Sequence, residues 1–429
     1  MRSNPKHNLY RFFSISVMVS IILVCLTGCQ KKVYLMPTPV LWTTGEHDPF
    51  QANPVLEESN RVPVYYATNR FPLGQDDMVA YTIFGDRGLR LGVADFRIGQ
   101  DVNWDLIYSL STSWDENERP VLLLDEIKEF AKIQEDGSYT DLPQAVLDFF
   151  EGINTALSES LDKDIMIYVH GANSSVYRAS AQAAQYRHFT GRNSVVIAFL
   201  WPSAESLLKY ETDVRHAAKT APVFANFIEL LSRHTNARNI NILSYSAGAQ
   251  IVSPALQQLA MRSTDELNLG ELYFAAPDLD YTAFIDDIWD YIDRVKSITL
   301  ALNRKDRVLA YAEGHHKKAR LGLPRSKELN GEQKQLATSI TWMPKFTVLL
   351  VDSEFMPLKN PRTHDFWYTH PWVSSDVLIQ FLLHAGPAER GLQKFETEEG
   401  VEFWSFPVDY SERIASTVRK LLYEELQKQ

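Results

Sequence analysis

From about residue 140 onward, apolar runs alternate with stretches of helical period. The runs are apolar throughout rather than at every second position, which fits strands buried on both faces of a parallel sheet. The strand candidates are residues 165–169, 194–200, 240–244, 271–275, 295–302 and 346–351. Helix candidates lie between them at about 143–159, 176–189, 213–233, 248–261, 281–293 and 371–384. In the last, Pro371 suits a first helical position, and Val373, Val377, Leu378, Phe381 and Leu382 share one face. Pro222 and Pro254 fall inside helical patterns, and the N–H that each lacks predicts a kinked or split helix.

Shorter apolar runs precede this core, at 62–67, 80–84, 89–93 and 121–124; set off by Asp, Gly and Asn, they predict β-strands along one edge of the fold. Beyond Gly386, residues 402–407 form one more strand candidate, and the C-terminus reads as an amphipathic helix. Residues 30–60 contain Pro37, Pro39, Pro49 and Pro54 and no periodic pattern, which predicts a tether. The expected organisation is a signal segment at 1–28, a tether at 29–60 and a single α/β domain at 61–429. That domain divides into N-terminal strands (61–135), a core (140–385) and a C-terminal strand and helix (386–429).

Composition narrows the chemistry. With 45% hydrophobic and 12% aromatic residues among 429, the chain can bury a large core. Its 43 Lys and Arg against 54 Asp and Glu give a formal charge of -11, which argues against broad binding of nucleic acid. Cys25 and Cys29 are the two cysteines, so a disulfide framework, a cysteine-rich zinc site and a cysteine nucleophile in the body are all excluded.

Those two cysteines sit in an N-terminal segment with its own logic. Arg2, Lys6 and Arg11 precede an almost unbroken apolar run from Phe12 to Leu26, the pattern of a secretory signal and short for a bilayer span. Leu26-Thr27-Gly28-Cys29 resembles the bacterial lipobox, whose cysteine is lipidated and becomes the mature N-terminus. Removing residues 1–28 takes away three positive charges and no negative ones, leaving a more acidic body. Acyl chains on Cys29 would supply the membrane binding that such a body lacks. Gln30, rather than Asp, resembles the sorting signal for a Gram-negative outer membrane, which implies a lipid-anchored protein facing the periplasm.

Candidate chemistry gathers at strand ends. The third core strand runs into Ser244-Tyr245-Ser246-Ala247-Gly248 and then directly into a helix, the context of a nucleophile elbow with Ser246 at its tip. Small neighbours are needed because the nucleophile's backbone is strained and the turn is tight. Ser244 stands where the pattern G-x-S-x-G has its first glycine. A serine needs a base, and the base needs a carboxylate to orient it and to stabilise the imidazolium. Asp306, beyond the strand at 295–302, and His364, beyond the strand at 346–351, stand in the order Ser, acid, His. Asp278 is the alternative acid, although both it and Asp280 also suit a helix cap. His370, directly before Pro371, suits helix entry better than the role of base. His315, His316, Lys317, Lys318 and Arg320 read as a solvated basic turn.

The first core strand ends in Val169-His170-Gly171-Ala172-Asn173, which resembles the oxyanion loop of α/β-hydrolases. The resemblance assigns the two backbone donors to Ala172 and Ala247, and leaves His170 a structural role. It extends to Val62 through Arg70, to Leu200-Trp201-Pro202-Ser203 with Tyr210 and Asp213, and to Asp306-Arg307-Val308-Leu309, Arg320-Leu321-Gly322 and His364. Across about residues 62–385 the chain resembles a poorly characterised bacterial family of α/β-hydrolases, esterase- or lipase-like, here as a lipoprotein. The resemblance implies the α/β-hydrolase fold, a mostly parallel sheet with helices on both faces, here with extra N-terminal strands. It supplies no substrate. Trp201, Pro202, Ser203, Tyr210 and Asp213 either line the pocket or brace the strand end, bracing being the expected role; Trp289, Trp342, Trp367 and Trp372 either enclose an acyl pocket or pack in the core, the default for buried aromatics.

The expectation is a membrane-anchored serine hydrolase that cleaves an ester or related acyl bond through an acyl-Ser246 intermediate. It requires neither metal nor organic cofactor, and its partners are a small-molecule or lipid ester and the membrane, not nucleic acid. The rival expectation is a lipoprotein that keeps the fold without turnover and serves binding or envelope organisation.

Overall fold

The computed structural model describes residues 31–74, 79–114, 118–134, 142–262, 267–416 and 419. The signal segment and Cys29 lie outside them. In chain order the strands are β1 (Arg61–Leu73), β2 (Ala80–Ile98), β3 (Leu122–Ile133), β4 (Ile165–Val169), β5 (Val195–Leu200) and β6 (Ile240–Tyr245). They continue with β7 (Leu269–Ala275), β8 (Ser297–Leu302), β9 (Phe346–Leu350), β10 (Gln393–Glu396) and β11 (Glu402–Ser405). The helices are α1 (Val40–Thr43), α2 (Trp104–Thr112), α3 (Gln144–Glu159), α4 (Val176–Phe189), α5 (Tyr210–His234) and α6 (Ala249–Arg262). After these come α7 (Tyr281–Tyr291), α8 (Arg307–His316), α9 (Gly331–Thr341), α10 (Phe366–Thr369) and α11 (Pro371–Leu383).

All the strands join one 11-stranded sheet in the order β10-β11-β9-β8-β7-β6-β4-β5-β1-β2-β3. From β1 through β11 the interior strands pair in parallel, with β10 antiparallel at one edge and β2 and β3 antiparallel at the other. Residues in β4, β5 and β7 are buried along their whole length, which explains their unbroken apolar runs. The chain steps from β4 to β5 in one direction and then back past β4 to β6, so right-handed crossovers send α4 and α5 to opposite faces. That reversal opens a crevice at the carboxyl ends of β4 and β6, where sheets of this kind bind ligands.

Three expectations are corrected in whole or in part. Of a kinked or a split helix, the split does not occur: Pro222 lies inside a single α5, and Pro254 inside α6. The separate edge runs at 80–84 and 89–93 are one long β2, which pairs with β1 through register shifts. The tether is the third correction. Tyr34 bridges to Val121, Met36 N–H donates to Gln185 Oε1 at 2.9 Å, and Trp42 Nε1 donates to the Phe189 carbonyl at 2.8 Å. Leu35, Met36, Val40, Leu41, Trp42 and Phe50 are buried, so this segment is a docked strap and Tyr34–Gln429 form one compact unit. Its apolar residues, spaced irregularly among prolines, fill gaps on a preformed surface, which requires no periodicity. At the other end, residues 410–416 are helical, and most of the remaining expected terminal helix lies outside the described residues.

Candidate active site

Strand β6 delivers Ser246 into a single turn of 3-10 helix, Ser246–Gly248, that leads into α6. Its φ of +52° is in the left-handed region, strained for a residue with a β-carbon and held by the packing around it. Two glycines permit that packing. A β-carbon on Gly171 would stand 2.8 Å from the β-carbon of Ser246, and one on Gly248 would stand 2.5 Å from the Val169 carbonyl oxygen. The loop after β4 therefore lies directly on the elbow. Ser244 fits below it, with its hydroxyl buried and unpartnered among the described residues.

His364 bridges two residues that come from different strand ends. Its Nε2 lies 2.8 Å from Ser246 Oγ, and its Nδ1 lies 2.6 Å from Asp306 Oδ2. With Asp306 ionised, Nδ1 carries the proton and Nε2 is left to accept the serine O–H. The Asp306 side chain is fully buried, whereas that of His364 is 11% exposed, so the imidazole reaches the surface and its partner does not. The second carboxylate oxygen of Asp306, Oδ1, caps α8 by accepting the amides of Val308 and Leu309 at 2.8 and 3.0 Å. Asn303, also fully buried, donates through Nδ2 to the carbonyls of Pro361 and Thr363 at 3.2 and 2.8 Å, tying the His364 loop to the end of β8.

The other sequence candidates have different partners. Asp278 is committed to Arg320, 2.6 Å from Nε to Oδ1, and accepts a hydrogen bond from Tyr210; it makes no contact with His364. Its backbone N–H donates to the Ser246 carbonyl at 3.0 Å, so it buttresses the elbow instead. Asp280 caps α7, and His370 caps α11 by accepting the Trp372 amide at 3.2 Å. The basic turn is only partly solvated: Lys317 and Lys318 are exposed, but Arg320 is buried and His316 Nε2 lies 3.1 Å from the Tyr210 hydroxyl. Of the four tryptophans expected in the core, Trp367 is buried beside Tyr168, whereas Trp342 is 56% exposed.

The loop after β4 is held from behind. Asp213 accepts the Asn173 amide at 3.0 Å and the Ala204 amide at 2.5 Å, and Ser203 Oγ accepts the Ser174 amide at 3.0 Å. Fully buried Arg70 spans three segments, donating to the carbonyls of Trp201 at 2.9 Å and Ser174 at 2.8 Å and pairing with Glu205 at 3.2 Å. Ala172 and Ala247 retain N–H groups with no hydrogen-bond partner among the described residues. His170 stacks on Trp201, 5.1 Å between ring centres, and burial together with the Arg70 charge pushes its pKa down to about 3. It stays neutral and structural. Arg70 and Asn303 had no role assigned from sequence; an arginine at the end of an apolar strand run is the signal that could have drawn attention to Arg70. Among the described residues, no group of three or more His, Cys, Asp or Glu side chains is arranged to hold a metal ion.

Residues 148–360 match the family described as alpha/beta hydrolase of unknown function (DUF900). The chain contains an α/β-hydrolase domain of this family. The matched span takes in the loop after β4, Ser246 and Asp306 and ends just before His364. Among solved structures, this hydrolase is similar to a predicted CIB-like hydrolase from Thermoplasma acidophilum at 13% identity and TM-score 0.32, over 52% of this chain and 87% of that one. It is also similar to a lipase-esterase related protein from Clostridium acetobutylicum, at 10% identity and TM-score 0.29, over 52% of this chain and 95% of that one. No curated protein matches the hydrolase in sequence.

Proposed function

We propose that this protein is a membrane-anchored serine hydrolase that cleaves an ester or related acyl bond. The observation that carries the reading is the double contact of His364, 2.8 Å to Ser246 and 2.6 Å to Asp306. Ser246 Oγ attacks the acyl carbon while His364 Nε2 takes its proton, and the buried Asp306 carboxylate stabilises the imidazolium that forms. The oxygen that gains charge in this step meets the free N–H groups of Ala172 and Ala247, a type of stabilisation for which each donor is worth about 3 kcal/mol. His364 returns the proton to the leaving alcohol, giving an acyl-Ser246. Water activated by the same imidazole then attacks the acyl group and frees the acid and the enzyme. The substrate is a small-molecule or lipid ester.

Anchoring rests on the sequence: the apolar segment and Leu26-Thr27-Gly28-Cys29 support lipidation at Cys29, and Gln30 supports the periplasmic face of an outer membrane. Two labelling experiments test the proposal. A fluorophosphonate probe labels the wild-type protein and fails to label Ser246→Ala; equal labelling of both, or none of folded wild type, overturns the mechanism. An alkyne analogue of palmitate labels the protein in cells and fails to label Cys29→Ala; a wild-type protein without label overturns the anchor.

A further inference from the structure

Just past the loop after β4 stands a guanidinium without a counter-ion among the described residues. Arg178 lies in the first turn of α4, half-buried, and donates through Nη2 to the Tyr368 hydroxyl at 3.3 Å. Among the described residues, no carboxylate lies within ion-pair distance of it. Among the described residues, three of the buried arginines have an acid: Arg70 pairs with Glu205 at 3.2 Å, Arg320 with Asp278 at 2.6 Å and Arg390 with Asp376 at 2.7 Å. The fourth, Arg192, is instead satisfied by the Glu57 carbonyl at 3.2 Å, by His188 and by the Trp104 ring, whereas the Arg178 guanidinium donates to Tyr368. The acid nearest in sequence to Tyr368, Asp365, accepts from Thr363 Oγ1 at 2.5 Å instead. Withdrawing a guanidinium from water without an anion is unfavourable, so an anion absent from the protein itself is the natural complement.

The surroundings of Arg178 are donors as well. Tyr368 follows His364 by four residues, and Tyr245 directly precedes Ser246. The Tyr245 ring lies 5.2 Å from that of His364 and 6.0 Å from that of Tyr368, so the three rings form one contiguous cluster. Both phenols are partly exposed, and burial raises the pKa of each, so both keep an O–H to donate near neutral pH. A forked guanidinium and two phenols, linked through these contacts to the ring of His364, match an oxyanion group such as a carboxylate or phosphate.

We infer that the substrate carries an anionic group beside its scissile acyl bond, and that Arg178, with Tyr368 and Tyr245, receives that group. This deepens the proposed hydrolase reading and rests on it. Arg178 is therefore a specificity residue, and it discriminates between anionic esters and their uncharged counterparts.

Two pairs of esters test this: 4-nitrophenyl acetate against mono-4-nitrophenyl succinate, and methyl 4-acetoxybenzoate against 4-acetoxybenzoate. They place the charge on the acyl side and on the alcohol side respectively. For wild type, kcat/KM favours the anionic member of at least one pair by about tenfold or more, as a charge-assisted hydrogen bond gives. Arg178→Gln brings that ratio to near one. Arg178→Lys keeps part of it, and Tyr368→Phe lowers it by a smaller factor. Wild type that cleaves both members of both pairs equally well, while still labelled by fluorophosphonate at Ser246, overturns this inference alone. So does an Arg178→Gln protein that slows every ester by one common factor, as a merely structural role would. A folded wild type that is neither labelled nor active on any of the four esters overturns the hydrolase reading and this inference with it.

Discussion

Asp306 Oδ2 stands 2.6 Å from His364 Nδ1 while its other oxygen holds the amino end of α8. One carboxylate thus couples the orientation of the imidazole to a helix cap, and the two roles separate on mutation. Asp306→Asn keeps an oxygen for the cap but offers an N–H toward Nδ1, which favours the wrong tautomer of His364. Its kcat on a short acyl ester falls about 10³- to 10⁴-fold with little change in the thermal transition. Asp306→Ala loses the same activity and in addition about 1 kcal/mol of stability from the cap. Steady-state kinetics beside thermal melts of both variants check this; an active Asp306→Asn protein contradicts it.

Gly171→Ala probes the contact between the loop after β4 and the elbow. The added methyl would lie 2.8 Å from the Ser246 β-carbon and 3.3 Å from the Tyr245 ring, so the loop must withdraw and carry the Ala172 N–H with it. Fluorophosphonate labelling slows by about 10²- to 10³-fold, the cost of one misplaced donor, and overpacking costs about 1–3 kcal/mol. Labelling at the wild-type rate would show that the loop donor is not used.

Trp42→Ala separates a docked strap from a tether. Trp42 is 5% exposed and its indole N–H is bonded to the Phe189 carbonyl, so truncation costs about 3–5 kcal/mol in denaturant unfolding. A tether residue would leave the midpoint unchanged.

At the amino ends of the core strands, His384 lies 3.4 Å from Asp164 and 3.7 Å from Glu271. Its pKa is raised, chiefly by the neighbouring Glu271 carboxylate and further by the charge of Asp164, against burial. A raised imidazole binds its proton more tightly in the folded state than in the unfolded one. Its stabilisation is therefore complete below about pH 6.5, the unfolded value, and is lost as pH rises through the higher folded value. His384→Gln lowers stability most at acidic pH and flattens this part of the profile, which unfolding measured from pH 5 to 9 reports. A constant difference between the two proteins across that range contradicts the linkage.

How far the sequence reaches depends on whether a feature is local. The strand at 165–169 is found with those bounds as β4, because five consecutive buried positions leave an unbroken apolar run. The elbow, too, is read from neighbours: a strand, small residues and a helix within a few positions. The strap over 34–60 left no such trace, since its buried residues are complementary to Gln185, Phe189 and Ser375, far away in the chain. Helix α8 was missed for a related reason, as its exposed Val308 and Tyr311 blur the amphipathic pattern.

The choice of acid shows where the limit lies. Asp278 and Asp306 both follow parallel strands, and either suits the order of residues along the chain. The difference is that Arg320, forty-two positions beyond Asp278, folds back onto it, while Asp306 meets His364. By itself, then, the sequence determined the alternation of buried strands and covering helices, the strained serine turn and the residue types available at each strand end, because these follow from local sterics and hydrophobic periodicity. Only the tertiary structure decided which carboxylate faces the imidazole, that Arg70 and Asn303 hold the loops in place, and that Arg178 is left without an acid, because such pairings depend on distances between segments that no local pattern encodes.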